Sequence, residues 1–245
     1  MTMKPKHWLT PDWPVPASVH AVTTLRTGGV SVGAFDALNI ALHVGDHAEF
    51  VITNRAIIKS MLGLPDEPIW LEQMHGNQVV DAATIGLQRQ ADASFTTKSG
   101  VVCAVMTADC LPVLVCMAGG DQVAAIHAGW RGLLSGVIGN TLSAMAGHDV
   151  LVWLGPAIGP DCFEVGDDVR DAFLHKAAGF TVAFTSKSKG KWLADIYQLA
   201  RIELAALGIN KIYGGDFCTV TDHERFYSYR RDQVTGRMVT LIWRD

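Results

Sequence analysis

Concentrated positive charge is missing from this chain. Its 245 residues include 20 Lys or Arg against 24 Asp or Glu, a formal net charge of −4, and no basic run exceeds two or three residues. A nucleic-acid partner needs a dense positive face to displace counterions, so that class is excluded. Lys187, Lys189 and Lys191 form the densest patch, and the Ser and Gly between them read as an exposed loop. Long apolar runs are missing as well. The longest, Val101 to Met117, is cut by Asp109 and Pro112 and is too short and too polar to span a bilayer. No disulfide framework is visible: the five cysteines stand at 103, 110, 116, 162 and 218, an odd number without a CxxC pair. A reducing, cytoplasmic setting is therefore expected. The segment Met1 to Pro16 has Lys4 and Lys6 but prolines where a signal peptide needs an apolar core, so none is read there.

What is present is a large apolar fraction. Hydrophobic residues make up 49% and charged residues 18%, the balance of a chain that buries a sizeable core. No linker, repeat or low-complexity tract interrupts it, so one domain over residues 1–245 is expected. Val19 to Leu25, Ile69 to Leu71, Gln78 to Ala82, Gln122 to His127, Ile212 to Tyr213 and Arg237 to Trp243 read as strands. Val101 to Met106, Val113 to Met117 and Val150 to Leu154 are continuous apolar runs, the pattern of strands buried on both faces. Apolar spacing of three and four predicts helices over Asp46 to Leu62, Gly132 to Ala146, Asp167 to Ala177 and Leu193 to Leu207. Strands and helices interleave without strict alternation. The expected fold class is therefore α/β in layers, with mixed sheets flanked by helices.

Three segments carry the chemistry. His75 lies in Trp70-Leu71-Glu72-Gln73-Met74-His75-Gly76, Cys110 in Met106-Thr107-Ala108-Asp109-Cys110-Leu111-Pro112, and His127 in Ala125-Ile126-His127-Ala128-Gly129-Trp130-Arg131-Gly132. Each abuts an apolar run; His75 and His127 are followed by a small residue and Cys110 by Leu111-Pro112, as when a buried strand delivers a side chain into a pocket. Two imidazoles and a thiolate make an open zinc site with a fourth position free. They also make a Cys-His nucleophilic pair with a spare histidine. Asp109 beside Cys110 is expected to disfavour a free thiolate, which tips the choice towards a metal. Asp109 is then a candidate general base or proton shuttle. Gln73 and Asn39 are candidate amide contacts to substrate, Arg26 and Arg131 candidate anion ligands, and Asp92 a candidate orienter of a ligand histidine. Each has a plainer reading as a turn residue, a cap or a surface ion pair. Gly155-Pro156-Ala157-Ile158-Gly159-Pro160 is an anion nest or simply a tight turn. The other four cysteines read as inert small hydrophobes.

These segments, with Thr24-Leu25-Arg26-Thr27-Gly28-Gly29-Val30-Ser31, Ala91-Asp92-Ala93, the Gly155 to Pro160 run and Phe226-Tyr227-Ser228-Tyr229-Arg230-Arg231-Asp232, cover nearly the whole chain in order. On them the sequence resembles the bacterial laccase-domain family, also called the multicopper polyphenol oxidase family. The resemblance implies a layered α/β fold shared with cysteine hydrolases, and zinc on His75, Cys110 and His127. It implies phosphorolysis of adenosine, inosine, guanosine and methylthioadenosine, with nucleoside and phosphate as partners, and deamination of adenosine. It also admits a peptidoglycan-editing amidase acting on a cell-wall precursor, and copper-dependent polyphenol oxidation. A true multicopper laccase needs many histidines in His-x-His pairs, whereas this chain has nine histidines and no such pair. A ligand-binding protein without turnover remains a third class of reading.

Overall fold

Neighbouring residues along the central strands point into two different cores, and that alternation explains the architecture. In the computed structural model, which describes residues 6–86, 89–147 and 149–245, a six-stranded sheet has the order Ile212–Gly214, Val150–Leu154, Leu111–Met117, Val123–Ala128, Ala93–Thr96, Val79–Asp81. Its two outermost pairings are parallel and the three inner ones antiparallel, so the sheet is mixed. Val113 and Val115, Ala124 and Ile126, and Val152 and Leu154 face one core with the helices Trp130–Leu134, Val137–Met145, Asp167–Lys176 and Ile196–Ala206. Leu114, Cys116, Val123, Ala125 and Trp153 face another, shared with Val19, Ala21, Cys103, Val105 and Ile242.

Those partners belong to a second sheet, antiparallel throughout, in the order Trp8–Leu9, Val19–Thr24, Met238–Arg244, Cys103–Thr107. Its other face carries Val22, Ala104, Met106, Val239, Leu241 and Trp243 against Ile58 of the helix Ala48–Leu62. The layers thus run helix, four-stranded sheet, six-stranded sheet, helices. Period-2 burial on both faces is why the central strands show no hydrophobic–polar alternation in the sequence.

Ile69 to Leu71 is no strand, only an isolated bridge from Ile69 to Cys103, and four further details differ from expectation. The helix anticipated over Gly132 to Ala146 is two, Trp130–Leu134 and Val137–Met145, broken where Gly136 takes a positive φ of 85°. Leu193 lies in a strand, Lys191–Ala194, and the helix starts at Ile196 behind Asp195, whose side chain accepts from the Gln198 N–H at 3.0 Å. That strand and its partners Glu164–Gly166 and Phe184–Ser188 form a small antiparallel sheet, so the Lys187–Lys191 patch is an exposed hairpin. Finally, Pro112 does not break its strand. It stands second in Leu111–Met117, and the chain turns before it, at Asp109, with φ 88°. No helix among the described residues is long and apolar enough to cross a membrane.

Candidate metal centre

Register brings Cys110 and His127 to one place. Leu111 pairs with Ala128 and Pro112 with His127, so Cys110 and Gly129 meet just beyond the end of the ladder. His127 shares the parity of Val123 and Ala125 and emerges between the two sheets, with its side chain buried. Gly129 leaves room here for the sulfur: a Cβ would lie 3.1 Å from Cys110 Sγ and 3.4 Å from the His75 ring and would push them aside. A Cβ on Gly132 would likewise press to 2.9 Å from the Gly76 carbonyl.

Asp92 holds His75 in place. Its buried carboxylate accepts the backbone N–H groups of His75 at 2.9 Å, Gly76 at 2.6 Å and Met74 at 3.2 Å, and pairs with His127 Nδ1 at 2.8 Å. Burial works to raise this carboxyl. The donors from His127, Gly76 and His75 outweigh it and hold Asp92 below the ordinary carboxylate range. The same loop is clamped by Gln73, whose amide exchanges two hydrogen bonds with the Met106 backbone, at 2.8 and 2.7 Å. His75, with φ 58°, is thereby turned towards His127; their rings meet edge to face, with centroids 4.8 Å apart.

The ligand atoms of His75, Cys110 and His127 all lie within 4.8 Å of one another. Tetrahedral zinc spaces nitrogen and sulfur ligands roughly 3.3–3.8 Å apart, so modest side-chain adjustment gathers the set. With Nδ1 of His127 facing Asp92, Nε2 is left to bind, the arrangement usual for metal-ligating histidines. Burial pushes the Cys110 thiol up, but the charges and hydrogen bonds of His127 and His75 prevail and lower it to about 6. His127 moves oppositely: burial depresses it, while Cys110 and Asp92 raise it to about 9. Without an ion, Cys110 and His127 are therefore set up as a thiolate beside an imidazolium, whose proton a metal would displace, and the residues fit a three-ligand metal site.

The expected effect of Asp109 on the thiol does not appear. One of its oxygens accepts from the Thr219 hydroxyl and the other from the Arg230 N–H, both at 2.6 Å. Asp109 still lines the cavity, of about 480 Å³, together with the three ligands, Gln73 and Arg131. The Arg131 guanidinium stacks 4.3 Å from the Trp130 ring centroid. No hydrogen-bond or ion-pair partner for it is found among the described residues. Arg26 and Asn39 do not line this cavity. Arg26 donates to the carbonyls of Asp36 and His223 and covers the Tyr227 ring. Asn39, wholly buried, bonds Ala41, Asp46 and the Arg237 N–H.

Sequence reasoning missed His43, Phe163, Tyr229, Arg230 and Arg237, all of which line the cavity. His43, Phe163 and Arg237 arrive from loops and Tyr229 and Arg230 from the short helix Tyr229–Asp232, and only the Tyr229-Arg230 pair lay in a segment that stood out beforehand. His43 is depressed by partial burial and by the nearby Arg237, Arg55 and His75.

The chain matches, over residues 20–245, the family described as multi-copper polyphenol oxidoreductase laccase. It is 50% identical over 238 residues to a protein of Escherichia coli K12 named purine nucleoside phosphorylase YfiH, covering 96% of this chain and 98% of the relative. A Pseudomonas aeruginosa protein, also named a purine nucleoside phosphorylase, is 51% identical over 239 residues, with the same coverage. Among solved structures, a Neisseria meningitidis protein superposes with TM-score 0.95 at 50% identity, over 98% of this chain and all of the other.

Proposed function

This chain belongs to the multi-copper polyphenol oxidoreductase laccase family, and we propose that it is a zinc-dependent purine nucleoside phosphorylase that also deaminates adenosine. The observation that carries the reading is one cavity holding both the His75–Cys110–His127 set and the Arg131 guanidinium, which has no hydrogen-bond or ion-pair partner among the described residues. Phosphorolysis needs a cation to receive phosphate, and Arg131 is presented for two-pronged binding by its stack on Trp130. Trp130, Phe163 and Tyr229 give the purine aromatic surface, and about 480 Å³ lies within the usual range for a small-molecule site.

His75, Cys110 and His127 would hold the ion, which when bound supplies Lewis acidity at a position left open to substrate. Asp92 keeps His127 in the tautomer that ligates and pins the His75 loop by its backbone. Asp109, with both oxygens engaged, is assigned a positioning role: it ties the Cys110 turn to Thr219 and to Arg230, which lines the cavity. His43, depressed towards its neutral form, is available to exchange a hydrogen bond with the base. Zinc is the natural occupant for this donor set, although imidazole and thiolate sites also bind copper tightly.

Metal-replete protein given inosine should release hypoxanthine only when phosphate is present. Ribosidic cleavage that ignores phosphate, with adenosine left intact, would sink the reading. One observation favours a second: the Cys110 thiol is lowered to about 6 by the imidazoles alone, as a nucleophile requires. An amidase using that thiol on a cell-wall precursor would be trapped covalently at Cys110 by an electrophilic substrate analogue. The metal reading predicts no such adduct in the zinc-loaded protein.

A further inference from the structure

Outside the metal centre, Cys162 and Cys218 are brought together by a turn. The Cys162 N–H donates to the Gly159 carbonyl at 3.0 Å, closing the four-residue turn Gly159-Pro160-Asp161-Cys162. The head of that turn meets the Cys218 sulfur: the Gly159 N–H donates to Cys218 Sγ at 3.3 Å. Cys162, at its other end, lines the same surface cavity as Cys218. The approach is close enough that a Cβ on Gly159 would lie 2.9 Å from Cys218 Cβ. Both cysteines are partly exposed, and both line a surface cavity with Asp161, Asp195, Asp216 and Arg225.

The two sulfurs are not equivalent. Burial raises Cys218, but the Thr221 side chain and the backbone N–H groups of Thr221, Gly159 and Val220 aim at it and lower it overall. Cys162 is raised, by burial, by the neighbouring Cys218, and by Asp161 and Asp109. A sulfur whose ionised form is favoured by donors, beside one whose ionised form is disfavoured, is the arrangement of an attacking and a resolving cysteine. Buried Cys103 and Cys116 are both pushed up to about 12 by burial, which the single Ser94 hydrogen bond to Cys103 does not offset.

We propose that Cys218 and Cys162 form a peroxide-reactive dithiol, in which Cys218 is oxidised first and Cys162 closes a disulfide onto it. The Cys218 thiolate attacks one oxygen of hydrogen peroxide, the O–O bond breaks, and hydroxide leaves and takes up a proton as water. The resulting sulfenic acid is attacked by the Cys162 sulfur. The S–O bond breaks as the S–S bond forms, and the second oxygen departs as water with the Cys162 proton. Two thiols are oxidised by two electrons, and one peroxide is reduced to two waters. The couple is joined to the larger cavity through its chain neighbours. Phe163 follows Cys162 and lines that cavity, and Arg230 donates to the Cys162 carbonyl at 3.4 Å. Thr219 follows Cys218 and holds Asp109. The inference is independent of what the metal centre turns over.

The test is peptide mapping of the full-length protein, reduced and then treated with hydrogen peroxide. The expected product is a Cys162–Cys218 cross-linked peptide, absent before treatment and removed by dithiothreitol. In Cys162→Ser the cross-link should vanish and Cys218 should be trapped as a sulfenic acid by dimedone. If peroxide leaves both as free thiols while Cys110 is oxidised, the proposal is overturned. It is equally overturned if wild-type protein forms Cys218 sulfenic acid but never the cross-link.

Discussion

Two clusters of buried polar side chains lie in this molecule, one around Asp92 and one around Asn39 and Asn54, and they differ in what is left unpaired. In the second, Asn54 accepts from the Val30 N–H and donates to Ser31 Oγ and to the carbonyls of Ala37 and Asn39. Asn39 and Ser31 both bond Asp46, and Arg26 spends its donors on carbonyls. Every strong donor and acceptor is consumed, so this cluster fixes loops between the first strands and the helix Ala48–Leu62. The Asp92 cluster also saturates its carboxylate, yet it leaves His75, Cys110 and His127 Nε2 facing a cavity. A polar group becomes a site residue when the fold satisfies its supports and not its reactive atom.

The sharpest break in that comparison is Cys110→Ala. Loss of a ligand should cost about 10³-fold or more in nucleoside turnover, the several kcal/mol a Lewis acid contributes, with folding retained. Asp92→Ala mixes both roles. It should weaken metal affinity about 10–100-fold, as loss of an orienting carboxylate does, and destabilise the chain by roughly 3 kcal/mol through the orphaned N–H groups. Calorimetry with metal titration separates the two effects. Asn54→Ala should show only the second kind, about 2–3 kcal/mol by denaturant unfolding with unchanged metal content. Arg131→Ala should be the mildest: KM for phosphate raised about 10-fold, as for loss of one charged contact, and melting temperature unmoved. A titration sharpens the contrast further. Ultraviolet absorbance of metal-free protein should show the Cys110 thiolate protonating as pH falls through about 6, a step missing from Cys110→Ala.

Much of this was legible in the sequence, for reasons that individual residues make plain. His75, Cys110 and His127 stood out because strand ends and small neighbours flank them, and Asp92 because it sits between alanines just before the strand Ala93–Thr96. Central strands were visible as apolar runs, since both faces are buried. Arg26 and Asn39 could not be told from site residues, because saturation by Asp36, His223 and Ala41 depends on contacts between loops. The small sheet was hidden by its exposure: Thr185 to Lys189 carry no apolar alternation. The effect of Asp109 on Cys110 was misjudged because a left-handed turn at Asp109 sends neighbouring side chains to different partners.

The most direct measurement is the metal content of purified wild-type protein beside Cys110→Ala and Asn39→Ala. One zinc per chain in wild type and in Asn39→Ala, and none in Cys110→Ala, is the predicted result. Equal metal in wild type and Cys110→Ala, or its absence from all three after growth in zinc, would contradict the assignment of His75, Cys110 and His127 as the ligand set.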